Sequence, residues 1–273
     1  MHMTERKRPD HAYRNLGFLN SKDARELRIL AEYLEPKSRF DYHKVEDTIV
    51  FMGSARILSR AAAEEALRAA EATGGDGLEH ARMAVKMSGY YEAARELAFR
   101  FTKWSKELDH KERRFVVCTG GGPGIMEAAN RGAAEAQGMN VGLTISIPRT
   151  EFDNPYVTRE LAFHFHYFFM RKFWFAYLAK AVLVFPGGYG TLDELFELLT
   201  LVQTGKLRKP MPIVLFGTQY WKEVINFDAL AAHGVIERRD IELMFRTDSV
   251  DEAYDWIVLR LAEHALGQPG PTL

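Results

Sequence analysis

Two glycine clusters, CTGGGPGIME (118–127) and FPGGYGTLDE (185–194), each follow a short apolar run and precede a helical pattern. Glycines at such a junction let the chain turn sharply and bring backbone N–H groups against a ligand. The helix N-terminus adds partial positive charge, and the combination suits a phosphate. One cluster by itself is also explained as a tight turn, whereas two at strand ends of one sheet favour an anion site. Around the second cluster stand side chains able to do more than bind. The sequence predicts that Thr191 opens the following helix and that Glu194 lies within its first turn, so that both face whatever the loop holds. The same T-x-x-E spacing is a capping box, in which hydroxyl and carboxylate satisfy free N–H groups of the helix and nothing else. Arg171 and Lys172 lie among Phe168, Phe169, Phe173, Trp174 and Phe175, where a charge is expensive to bury unless paired. Either both side chains reach solvent at a helix edge, or Arg171 is a fixed cation for an anionic or polar substrate group, which its planar fork of donors suits.

Several other chemistries are disfavoured by the spacing. Gly120, Gly121, Gly122 and Gly124 miss the G-x-G-x-x-G fingerprint because Ile125 takes the last place, and the run at 140–148 ends without an acidic residue for a ribose hydroxyl. A dinucleotide redox cofactor is therefore not expected. Neither cluster is followed by Lys-Ser or Lys-Thr, so the triphosphate P-loop is not expected either. A monophosphate remains the simplest ligand. His164 and His166 alternate as metal ligands on a strand would, but no Cys or carboxylate cluster completes a set, so they read as packing or hydrogen-bonding residues and no metal is expected. Cys118 has no evident activating partner and reads as a buried small residue. The G-x-S-x-G elbow of α/β hydrolases does not occur.

The elements that must position these residues form an alternating pattern. Apolar runs at 48–53, 114–120, 140–148, 181–187 and 212–217 read as buried strands, and helical periodicity occupies 84–107, 124–137, 165–179, 191–204 and 218–231. The expected fold is α/β: a modified Rossmann-like, doubly wound parallel sheet with helices on both faces and ligands at the carboxyl ends of the strands. Residues 1–45 form an expected N-terminal helical appendage with one helix at 21–34. A domain spanning 46–265 carries a helical insertion at about 56–80, and 266–273 is a C-terminal tail.

In a chain of 273 residues, 36 Lys and Arg against 37 Asp and Glu leave a formal charge of −1, which offers no global attraction for nucleic acid or anionic lipid. One cysteine excludes an intrachain disulfide framework and fits a reducing compartment. No charge-free stretch reaches the ~18 residues of a membrane span, and the N-terminal residues lack the apolar core of a signal peptide. A cytoplasmic location is expected. The helix around Arg171 carries more aromatic residues, from Phe165 to Tyr177, than one buried face requires, and such surplus points to a homodimer or a multiple of dimers.

GGGPGIMEAANRGA (120–133), MRK (170–172) and PGGYGTLDE (186–194) followed by ELLTLVQTGK (197–206) resemble the Lonely Guy family, whose members have often been labelled possible lysine decarboxylases. The resemblance begins at VFMGSAR (50–56), resumes at SGYYEAARELA (88–98) and continues through FRTDSVDEAYDWI (245–257). It implies a modified Rossmann fold and hydrolysis of a nucleoside 5′-monophosphate, in the family a cytokinin riboside 5′-monophosphate, to free base and ribose 5-phosphate. By matching motifs it makes Arg171 and Glu194 the catalytic pair. It assigns Gly187, Gly188, Gly190 and Thr191 to the phosphate loop and Gly121, Gly122 and Gly124 to a second nucleotide-lining motif, with Lys172 beside them. No cofactor is implied. The extra N-terminal residues and the insertion resemble the larger bacterial members, for which a common purine nucleotide such as AMP is a plausible substrate. The decarboxylase label needs a Schiff-base lysine with an anionic partner for the pyridine nitrogen, and neither Lys172 nor Lys180 has that context. The competing reading is a carrier that holds a phosphorylated nucleotide or a molybdenum-type cofactor without catalysis, as the molybdenum-cofactor carriers that resemble this family do.

Overall fold

Seven short strands, all parallel, run in the order β4-β3-β2-β1-β5-β6-β7. The computed structural model describes residues 11–74, 77–146 and 154–271. Along the chain come α1 (Leu16–Leu19), α2 (Arg25–Tyr42), β1 (Thr48–Met52), α3 (Arg60–Thr73), α4 (Gly77–Glu107), β2 (Val116–Thr119), α5 (Ile125–Glu135) and β3 (Asn140–Ile145). They are followed by β4 (Ala162–Phe165), α6 (Phe168–Leu178), β5 (Ala179–Val184), α7 (Tyr189–Gln203), β6 (Ile213–Phe216), α8 (Thr218–Val224), α9 (Phe227–Ala232), β7 (Met244–Thr247) and α10 (Val250–His264).

Strands β1, β2, β5 and β6 are buried at every position and mostly apolar because both of their faces are covered. In β1, Ile49 and Phe51 enter a core with Leu97 of α4, Ala128 of α5 and Ile257 of α10. Val50 and Met52 point the other way, into a core with Phe40 of α2, Trp174 of α6, Leu195 of α7 and Trp221 of α8. The five expected strands are all present. The run at 140–148 ends as a strand at Ile145, and its last two positions lie outside the described residues. The two strands that the apolar runs did not announce, β4 and β7, are the sheet edges. In β4, Ala162 and His164 are exposed while Phe163 and Phe165 are buried, the alternation of a strand open to water on one side.

Strand order reverses at β1, which pairs with β2 on one side and β5 on the other, so the topological switch point lies where β1 and β5 end. The helix that carries Arg171 is held at both ends. The Glu32 carboxylate of α2 accepts the backbone N–H of His166 at 2.7 Å and of Tyr167 at 3.2 Å, just before α6 begins. At the other end Lys209 Nζ donates to the carbonyls of Ala176 and Tyr177, both at 2.8 Å. An anion at the start and an ammonium at the finish each complement the helix dipole. The expected helix at 21–34 is thus longer, running to Tyr42, and it packs on the sheet through Phe40, whose ring lies 4.8 Å from Phe163 and 5.3 Å from Trp174. In the 56–80 segment, α3 starts on a Ser59 cap and α4 begins at Gly77, earlier than the expected 84.

Candidate active site

A cavity of about 710 Å³ opens at the switch point, walled by the loops after β1, β2 and β5 and by residues of α6, α7 and α8. The loops are tied together by backbone bonds. Ser54 N–H donates to Pro186 O at 2.9 Å, Phe185 N–H to Met52 O at 2.8 Å, and Ile125 N–H to Ser54 O at 3.1 Å. Tyr220 of α8 supports the second glycine cluster by donating its hydroxyl to Gly187 O at 2.6 Å.

On the cavity wall Arg171 Nη2 meets Glu194 Oε1 at 2.6 Å, and each side chain is only 13% exposed. The Arg171 guanidinium also lies over the rings of Phe168 and Phe175, at 5.4 and 5.5 Å. Its Nε is buried without a hydrogen-bond partner among the described residues. Burial pushes the Glu194 carboxyl up to about 7 from its ordinary 4.5, against the opposing pull of Arg171. A carboxyl poised near neutrality inside a cleft is the condition of a group that exchanges or stabilises charge during a reaction.

The capping-box explanation of Thr191 and Glu194 fails on helix geometry. Helix α7 begins at Tyr189, two residues earlier than the sequence predicted, with Gly188 as its N-cap and no side-chain cap. Thr191 is therefore the third helical residue and Glu194 the sixth, beyond the first turn. The carboxylate turns instead to Arg171. Glycine caps without leaving a side-chain signature, which is why the spacing suggested Thr191 as the opening residue.

The predicted glycines divide into two groups. Gly187, Gly188, Gly190 and Thr191 all line the cavity. A Cβ on Gly187 would run into the Thr191 side chain, whereas Gly188 and Gly190 have open space where a Cβ would project. Of the first cluster's glycines only Gly120 lines the cavity, together with Met126 at the start of α5. Gly124, with φ +70°, packs against the backbone of Ser54 and Ala55, and Gly121, with φ +67°, against Thr144, so these two glycines shape the loop rather than face the site. Gly122 stands behind them, its carbonyl 3.4 Å from the Asn154 amide. Lys172 points away from the cavity to Asp193 and Glu197, at 2.8 and 2.9 Å.

The remaining candidates lie elsewhere. His164 is held between the hydroxyls of Thr144 and Ser146 at 2.9 and 2.8 Å. Among the described residues no cluster of three or more His, Cys, Asp or Glu is placed to hold a metal. Cys118 is buried in β2, its thiol pushed up by burial and by the nearby Glu194 carboxylate. Among the described residues no lysine lines the cavity. Lys180, at the start of β5, is buried in the company of Asp47 and Arg114. Residues that sequence reasoning did not single out also stand on the wall: Ser54 and Arg56 after β1, Phe168 of α6 and Tyr220 of α8. Among the described residues no helix is long and apolar enough to cross a membrane.

The cavity, with a carboxylate–guanidinium pair beside a glycine loop, lies at the switch point of an all-parallel α/β sheet, where such sheets bind ligands. Residues 126–257 match the family described as possible lysine decarboxylase, which bears out the resemblance to the Lonely Guy family over that stretch. The chain is 33% identical over 114 residues to a pyrimidine/purine nucleotide 5′-monophosphate nucleosidase of Escherichia coli strain K12, covering 38% of this chain and 25% of that protein. It is 31% identical over 94 residues to the cytokinin riboside 5′-monophosphate phosphoribohydrolase LOG of Oryza sativa subsp. japonica, covering 34% of this chain and 37% of that protein. The matches thus span less than half the length of either relative. A solved structure of a Moco carrier protein from Chlamydomonas reinhardtii aligns with 80% of this chain and 99% of its own, at 18% identity and a TM-score of 0.45.

Proposed function

We propose that the protein is a nucleoside 5′-monophosphate phosphoribohydrolase, hydrolysing the N-glycosidic bond of a purine or cytokinin-type nucleotide to free base and ribose 5-phosphate. The observation that carries this reading is the part-buried Arg171–Glu194 pair, 2.6 Å apart on the wall of a cavity that also holds the glycine-rich start of α7. The relatives named for nucleotide monophosphate cleavage support it. As the bond between C1′ and the base nitrogen breaks, its electron pair leaves with the base and positive charge grows on the ribose. A carboxylate beside the sugar stabilises that charge and orients the water whose oxygen bonds to C1′, a role that falls to Glu194. The water's proton is passed on to the departing base or to solvent. Arg171 keeps the carboxylate ionised against its burial and fixes its direction. Backbone N–H groups around Gly188 and Gly190, with the Thr191 side chain, anchor the phosphate, so that binding energy remote from the breaking bond serves the reaction.

The test is incubation with nucleoside monophosphates and their nucleosides, scoring base and ribose 5-phosphate. Cleavage of AMP or a related purine monophosphate but not of adenosine, without added NAD or metal, is the expected result. Equal turnover of adenosine and AMP would refute the phosphate anchor, and binding without cleavage would leave a carrier. We further propose a homodimer or a multiple of dimers, because Phe168 and Phe169 on α6 are 52% and 54% exposed and Tyr189 on α7 is 93% exposed. A monomeric mass by light scattering at micromolar concentration, with full activity, would defeat this.

A further inference from the structure

The loop after β1 carries a cation that the proposed hydrolysis does not use. Arg56 stands on the cavity wall and is exposed, and its guanidinium has no hydrogen bond or ion pair with any described residue. Its backbone is held from both directions. The Arg56 N–H donates to Ser54 Oγ at 3.1 Å, Ser54 is bonded on one side to Pro186 and on the other to Ile125, and the next residue, Ile57, is buried. Gly124 closes against Ser54 and Ala55 so tightly that a Cβ there would overlap them. A long side chain with a fixed root and a free charged end is thereby placed over the junction of β1 and β5.

Charge balance in the cavity says what it is for. Among the described residues the charged side chains on the wall are Arg56, Arg171 and Glu194. Arg171 is committed to Glu194 at 2.6 Å, so the two offset each other and the uncompensated charge is that of Arg56. A phosphomonoester brings roughly −1.5 to −2 at neutral pH and three strong acceptor oxygens, which a guanidinium fork accommodates better than an ammonium. The Ser54 N–H bond to Pro186 puts the root of Arg56 beside the strand end from which the glycine loop leads into α7. We infer that Arg56 reads the 5′-phosphate of the substrate and of ribose 5-phosphate, and so confers the preference for nucleotide over nucleoside. This inference rests on the proposed function for the identity of the ligand, though not on the occurrence of cleavage.

The test measures ribose 5-phosphate and ribose binding by calorimetry, and KM and kcat for AMP, in the wild type, Arg56→Gln and Arg56→Lys. Loss of a charge-assisted contact predicts about a 10- to 100-fold weaker ribose 5-phosphate affinity in Arg56→Gln and a matching rise in KM. A much smaller change is expected in kcat, with partial recovery in Arg56→Lys. Ribose should bind all three proteins alike. Equal ribose 5-phosphate affinity in wild type and Arg56→Gln, or none in either, overturns the inference. So does a rise in KM without loss of ribose 5-phosphate affinity, which would move Arg56 to the base. Loss of affinity in Arg56→Gln from a protein that cleaves no nucleotide would sink the hydrolase reading while leaving this one standing.

Discussion

Replacing Glu194 by Gln should make the protein more stable and far less active, and the two effects have one origin. The side chain is 13% exposed and burial holds its carboxyl at about 7 rather than 4.5, even with Arg171 at 2.6 Å. A shift of that size corresponds to roughly 3 kcal/mol between the neutral and ionised forms in the folded protein. The folded value lies above the unfolded one, so the folded protein binds the extra proton. Stability from this group is fully present below about pH 4.5, falls as the pH rises, and is at its lowest once the pH passes about 7. Gln keeps the shape and never ionises. At pH 8 Glu194→Gln should therefore melt higher than wild type, by on the order of 5 to 10 °C for a chain of this size, and at pH 4.5 the two should converge. Turnover should move the other way, by roughly a hundred- to a thousandfold in kcat, because a preorganised charge facing the developing ribosyl cation has been removed. Thermal melts at the two pH values, with base release from AMP, read both. Near-normal turnover would remove Glu194 from the mechanism. A variant that melts lower than wild type at pH 8 would refute the buried-charge reasoning.

The same carboxyl sets a pH dependence: kcat/KM for AMP should rise with pH to a plateau above about 7, and Arg171→Gln, which removes the charge that favours ionisation, should move the midpoint upward; an unmoved midpoint would dissociate the pair. Gly187→Ala should weaken ribose 5-phosphate binding at least tenfold in calorimetry, because the new Cβ collides with Thr191 at the loop. Lys172→Ala should change kcat/KM for AMP by less than about threefold in the base-release assay, since its partners are the exposed Asp193 and the half-buried Glu197 outside the cavity.

Where the sequence was legible, a local signal matched the physical demand on the chain. Strands covered on both faces are mostly apolar, so β1, β2, β3, β5 and β6 stand out as runs. The edge strands β4 and β7 lack that demand, and His164 and Arg246 interrupt them. The glycines after β5 were visible because a backbone that approaches a ligand needs them, but the start of α7 was not, because a glycine N-cap carries no side-chain mark. Arg171 and Glu194 are 23 residues apart and meet only when α6 and α7 pack, a distance no spacing rule spans. Their pairing was suggested by the family resemblance and not by the pattern. Arg56 gave no signal by itself, since an arginine four residues past a strand reads as an ordinary solvated charge. The clue was positional: the short run Gly53, Ser54, Ala55, Arg56 leaves the one strand at which the sheet order reverses.

The N-terminal segment shows how residues far from the cavity bear on it. Arg171 is useful only if α6 presents it at one angle, and α6 has no side-chain cap of its own. Glu32 supplies the cap from α2 and also receives, through its carbonyl, the Trp174 indole N–H at 3.0 Å, fixing the first two turns of α6. Lys209 closes the last turn, and burial brings its ammonium down to about 7, so near neutrality it holds the two carbonyls as hydrogen-bond donor in either charge state. The helix is thus constrained by Glu32, 134 to 142 positions from the residues it bonds, and by Lys209, 32 and 33 positions from its partners. A residue that must hold a carboxylate within 2.6 Å while remaining partly buried cannot tolerate a helix free to shift by a turn or to roll. The segment that looks like an appendage in the sequence is, by its contacts, the support of the helix that carries Arg171.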